Sequence, residues 1–212
     1  LLTGMASAQF VTIAFSPIIT RLYTPRDYGY FAAFTSLLTL LKVIKTFGYE
    51  SSILVPKEDH EAFHILIISF VILLIISFFT LFLIGSNIFS DFITTDSTKI
   101  IWLLPVGVFL SGSFDLLSYW IKRVKLFGSL AIITFKRSVF GVIMNISFSG
   151  INEYGLFLGS IGSEGLASID LIKKIFIDLK KYFSQINIKS SKMVLIKYRD
   201  FAFFGLPAGL VS

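Results

Sequence analysis

A chain of 212 residues with 55% hydrophobic and only 15% charged residues, and a mean hydropathy of +0.82, carries too much apolar surface for a soluble domain. Its net charge of +6 would suit nucleic acid or anionic lipid, but the cations cluster at the ends of apolar runs, where membrane topology accounts for them, and nucleic acid is not expected as a partner. With no cysteine there is neither a disulfide framework nor a thiolate metal site, and the class that remains is an all-α, polytopic transmembrane helical bundle.

A spanning helix needs about 20 mostly apolar residues at 1.5 Å rise each. That window predicts six spans, over residues 1–20, 28–47, 64–85, 101–121, 129–149 and 154–172, and the start of a seventh from 201. No basic n-region precedes the first span, so a signal peptide is a poor reading, and both ends of the chain suggest a piece of a longer protein. Span one contains Pro17, which removes a backbone hydrogen bond and can bend a helix. The polar turn after it, "TRLYTPRDYG", uses Pro25 to end the turn and Asp27 to help start span two, with Arg21 and the tyrosines as interface anchors. Lys42 and Lys45, three apart, share a face near the far end of span two, either as interface anchors or as cavity cations. Glu50 follows, and could pair with them.

Before span three stands "HEAFH", residues 60–64, which matches H-E-x-x-H, a pattern that puts two histidines on one helical face for zinc with Glu61 as base. It precedes the apolar run instead of lying within it, so a solvated helix start after Pro56 is the plainer reading and no metal site is assigned. Span four is bracketed by Trp102 and the Tyr119–Trp120 pair, both expected at interfaces, with Asp115 as a further acid for pairing. In span five, Lys136 and Arg137 interrupt the apolar run about seven residues from its start. Either the helix begins later and both snorkel to headgroups, or a cation faces a polar cavity. Span six is the weakest, with Glu164, Asp170 and many small residues, though Gly155 and Gly159 offer a face for close helix packing. Beyond it Ile172, Ile175, Phe176 and Phe183 recur at helical spacing among Lys173, Lys174, Lys180 and Lys181, a basic amphipathic helix suited to anionic headgroups.

The connections after spans two, four and six, counted with Lys42 and Lys45 at the approach to the first of them, hold 14 of the Lys and Arg residues, the other connections only Arg21, Arg26 and Lys99. The positive-inside rule therefore places the N-terminus and the loops near residues 57 and 122 in the cytoplasm, and the loops near 25 and 96 outside.

Four stretches in order carry a resemblance. The opening "LLTGMASAQFVTIAFSPIITRLYTPRDYGYFAAFTSLLTLL" is followed by "GYESSILVPKEDHEA", "LSYWIKRVKLFGSLAI" and "KYRDFAFFGLPAGLVS". Together they resemble the first half of the bacterial polysaccharide (O-antigen-type) flippases of the multidrug/oligosaccharidyl-lipid/polysaccharide exporter superfamily. The resemblance implies two six-helix lobes around a central cavity. Residues 1–172 would be the first lobe, 173–200 a cytoplasmic linker and 201–212 the start of the second. It also implies alternating-access flipping of a polyprenyl-pyrophosphate-linked oligosaccharide across the bacterial inner membrane for lipopolysaccharide and the cell envelope. No bond chemistry, catalytic residue or cofactor is implied, and the partners would be membrane lipids and polysaccharide polymerase or export proteins. Arg137 falls where the resemblance places a cation in the fifth helix and is the first choice for the pyrophosphate, with Lys136, Lys42 and Lys45 behind it. Arg21, Pro17, Asp27, Glu50 and Asp115 are read as structural or ion-pairing. The rival functions are a cation-coupled multidrug exporter, which would want carboxylates deep in the first lobe, a membrane zinc protease resting on "HEAFH", and a membrane glycosyltransferase, for which no sugar-nucleotide site is readable.

Overall fold

In lipid every backbone N–H and C=O must find its partner within its own segment, so long apolar runs bounded by Pro, Gly and polar residues resolve into helices. A computed structural model describes residues 2–44, 48–86, 98–151, 154–183 and 197–198. Lys45 and the predicted seventh span lie outside them. Among the described residues the regular structure is entirely helical: α1 (Leu2–Leu22), α2 (Pro25–Ile44), the single turn α3 (Tyr49–Ser52), α4 (Asp59–Gly85), α5 (Thr98–Ile101), α6 (Leu104–Arg123), α7 (Phe127–Ser147) and α8 (Tyr154–Phe183). Five of these, α1, α4, α6, α7 and α8, are long and apolar enough to cross a membrane, and the chain is a multi-pass membrane protein. The 20-residue α2 is not among the five, because Arg26, Asp27, Lys42 and two tyrosines dilute its apolar content. It packs against α6 and α8.

The helices form a wall in the order α1, α7, α8, α6, α4, with α2 laid over the α6–α8 seam. The innermost element is α6, and its small residues explain why. Gly112 sits against Leu73 of α4 so closely that a Cβ there would overlap the leucine, and Gly107 faces Phe34, Leu38 and Ile161. The serines of α6 need no outside partner, since Ser113 and Ser118 donate to the carbonyls of Phe109 and Phe114 one turn back, each at 2.7 Å. Phe157 of α8 meets Phe31 and Phe34 of α2 edge to face, at 5.5 and 4.9 Å between ring centres.

Three features differ from the sequence reading. First, α7 begins at Phe127, directly after a tight turn in which Lys125 adopts φ 58°. There Leu126 N–H donates to Ile121 C=O and Lys125 N–H to Lys122 C=O, a Schellman closure that normally recruits glycine. Second, the weak sixth span and the basic amphipathic stretch are one continuous helix, α8, through Phe183. Third, Trp120 is no interface anchor. It is fully buried between Phe63 and Tyr182, with ring centres 5.7 and 6.2 Å away, because its face of α6 turns toward α4 and the end of α8. Trp102 does point outward.

Candidate functional site

The start of α7 at Phe127 decides the ambiguity over Lys136 and Arg137. Both stand at the midpoint of a 21-residue helix, about 15 Å of rise from either end, half the depth of a hydrocarbon core of about 30 Å. Consecutive residues on a helix diverge by about 100°, and the two side chains separate accordingly. Arg137 turns into the bundle, where its guanidinium carbon lies 4.7 Å from the centre of the Phe114 ring of α6. Its Nη1 reaches Glu164 Oε1 of α8 at 3.5 Å. Lys42 Nζ, from the last turns of α2, reaches the same Oε1 at 3.4 Å. Lys136 turns outward, 3.9 Å from Asp170 Oδ2.

Glu164 is thus the residue that gathers the inward cations. It lies ten residues into α8, at the same depth as Arg137, and its side chain is only 12% exposed. Its second oxygen, Oε2, is buried without a hydrogen-bond partner. Asp115 of α6 interacts electrostatically with Glu164 and so belongs to the same neighbourhood. The sequence reading offered Asp115 and Glu50 as partners for Lys42 and Lys45. The acid found between Lys42 and Arg137 is Glu164, while Glu50 lies in α3, which Gly48 opens at φ 77°. The signal was present in the sequence: an acid in the middle of a span requires a cation, and the inward cations available were Lys42 and Arg137.

Chemically this is an anion-binding arrangement already holding an anion. Two cations converge on one buried carboxylate oxygen, with Asp115 near enough to interact with Glu164 as well. A guanidinium carries five N–H donors in a fork that fits phosphate oxygens in pairs, and only Nη1 engages Glu164.

Asp27 belongs to a helix cap. Thr24 caps α2: its backbone N–H and hydroxyl both donate to Asp27 Oδ2, at 2.7 and 2.8 Å, and Asp27 N–H returns to Thr24 Oγ1 at 3.3 Å. With Pro25 as first helical residue, "TPRD" is a capping box. Tyr23, buried beside it, donates from its hydroxyl to the Asn145 carbonyl of α7 at 2.6 Å. Burial raises the Tyr23 phenol above its ordinary pKa, with the Tyr28 and Asp27 charges adding to the shift, so the proton stays on the donor. Pro17 lies inside α1 without ending it, and Arg21 is exposed in that helix's last turn.

The "HEAFH" residues are engaged in packing and pairing. His60 Nδ1 lies 3.0 Å from Glu58, His64 is buried, and Glu61 receives Lys197 Nζ on one oxygen and the Tyr198 hydroxyl on the other, both at 2.7 Å. Among the described residues no three His, Cys, Asp or Glu side chains gather as a metal set. Nearby, Arg123 donates to Asp59 Oδ1 at 2.9 and 3.0 Å and to the Ile53 carbonyl at 2.9 Å, fastening α6 to the start of α4.

A family model described as "Polysaccharide biosynthesis protein" matches residues 18–190, a range that contains Lys42, Arg137 and Glu164. No curated protein and no solved structure matches the chain.

Proposed function

Because this chain belongs to the polysaccharide biosynthesis protein family, we propose that it flips lipid-linked oligosaccharide across the bacterial inner membrane, without making or breaking covalent bonds. The observation that supports this most is the mid-membrane cluster of Arg137, Lys42 and Glu164. A polyprenyl-pyrophosphate headgroup needs cations in a polar interior while its tail stays in lipid, and Arg137 supplies paired donors at that depth. In this reading 1–172 is the first lobe of an alternating-access transporter, 173–200 links it to the second lobe begun at 201, and Arg137 is the leading headgroup contact with Lys42 beside it. Lys45 is a secondary contact, whereas Lys136, which turns outward to Asp170, stands away from the headgroup. The loops near 57 and 122 face the cytoplasm, on the strength of their Lys and Arg content.

One observation favours a second reading. Glu164 is a deep carboxylate in the first lobe, which a cation-coupled multidrug exporter would require. Its engagement by two cations fits anion handling better than cation binding.

The test is surface-glycan assay of the intact protein at matched expression. Arg137→Ala is expected to abolish export and Arg137→Lys to restore it partly, since lysine lacks the paired donors. Full export by Arg137→Ala would remove the site, and drug efflux with no effect on surface glycan would establish the second reading.

A further inference from the structure

On the outward side of the α7–α8 seam runs an open groove with two chemically different ends. One end is apolar, walled by Val139, Phe140 and Ile143 of α7 and by Leu166 and Ile169 of α8. The other is cationic, with Ser129, Lys136, Asp170, Lys173 and Lys174 set around Ile132 and Ile133. Lys136, Asp170 and Lys173 line both portions, so the groove is continuous. Asp170 stands 3.9 Å from both Lys136 Nζ and Lys173 Nζ. Three lysines against one aspartate leave two positive charges unmatched within the groove.

We propose that this groove is a binding site for an acidic phospholipid of the leaflet nearest the α6–α7 turn. The argument is charge and register together. Ser129 lies in the first turn of α7, and Lys173 and Lys174 lie on α8 beyond the depth of Glu164, so the cationic end sits at headgroup level near the turn 124–126. Between that end and the depth of Glu164 the groove is walled by Leu166 and Ile169 of α8, where an acyl chain of that leaflet would run, and its apolar lining continues past the midpoint of α7 at Val139 to Ile143. An ordinary lipid-facing surface has no cation at its midpoint, because an unpaired ammonium there is costly. Lys136 is kept at that position by Asp170 and by reaching along the groove toward the headgroup level, which a phosphodiester would complete. The site is separate from the Arg137 cluster and does not depend on what the protein transports.

The experiment uses the intact protein in non-ionic detergent with equimolar dioleoylphosphatidylglycerol and dioleoylphosphatidylcholine, and reads bound lipid by native mass spectrometry. The expected result is a preference of about tenfold for the phosphatidylglycerol adduct, reduced to parity in Lys136→Gln/Lys173→Gln/Lys174→Gln but retained in Lys57→Gln/Lys122→Gln/Lys180→Gln. Asp170→Asn removes the internal competitor and is expected to raise the preference, an outcome that loss of folding cannot imitate. Equal adducts in the native protein, equal loss in both triple variants, or a fall on Asp170→Asn would each overturn the proposal. So would preferential capture of added polyprenyl phosphate over phosphatidylglycerol, which would make the groove a track for the carrier lipid.

Discussion

Replacing Glu164 by glutamine leaves two cations inside the bundle without their anion, and the expected cost follows from the geometry. At 3.4 and 3.5 Å each ion pair attracts by about 5 kcal/mol at an effective dielectric of about 20. Desolvation takes back much of this, since Glu164 is 12% exposed and its Oε2 has no hydrogen-bond partner. The cations retain some water, Lys42 at 29% exposure and Arg137 at 32%. Breaking such a group by removing one member costs about 3 kcal/mol, which for a chain of this size lowers the melting temperature by roughly 6–12 °C. Replacing the whole triad, as Lys42→Met/Arg137→Met/Glu164→Leu, is expected to recover most of that loss, because the desolvated ion-paired group is removed as a unit. Export should nevertheless remain absent, since the cations have gone. Thermal unfolding of the purified intact protein, with double-mutant cycles, measures both effects. A Glu164→Gln melting temperature within about 1 °C of the native value, with a Glu164–Arg137 coupling below about 0.5 kcal/mol, would refute the reasoning.

Two further outcomes concern the frame. Lys125→Gly should raise stability by about 0.5–1 kcal/mol, since glycine occupies the left-handed position of the α6–α7 closure without steric cost, whereas Lys125→Val should lower it, and thermal unfolding reads both. Gly155→Ala should destabilise by about 1–3 kcal/mol, because the new methyl meets the Phe148 carbonyl group and the Tyr23 hydroxyl, while Gly128→Ala, with nothing within 4 Å, should be neutral or slightly stabilising in the same measurement.

The sequence made the helical class legible because a run such as residues 64–85 admits no soluble interpretation, and the structure puts it inside α4, which is long and apolar enough to cross a membrane. The cap at Thr24–Asp27 was foreshadowed by Pro25 and Asp27, since capping is chemistry local to four residues. What remained hidden depended on which way a helix face points. Trp120 was read as an anchor because indole favours interfaces, and only the packing of α6 on α4 shows that its face turns inward. The start of α7 was placed two residues late because a lysine in the left-handed conformation carries no sequence signal, unlike glycine. That shift blurred the difference between snorkelling and burial for Arg137. Glu164 was visible only as a blemish in a weak span, since its meaning depends on α2, α7 and α8 converging.

The unbroken course of α8 has a mechanical consequence. A helix of 30 residues is about 45 Å long, and the part from Glu164 to Phe183 contains no proline to bend it. It therefore behaves as a stiff rod, pinned near its middle by the ion pairs of Glu164 and at its far end by Tyr182, which lies against Phe63 and Trp120. A rotation of about 10° at Glu164 would carry the end of the rod through about 5 Å, taking the lever arm as roughly 28 Å of helical rise. Any rearrangement of charge at Glu164 that tilts α8 must therefore either drag the aromatic contact at Tyr182 with it or break that contact, so the charged centre and the Tyr182 end of α8 cannot move independently.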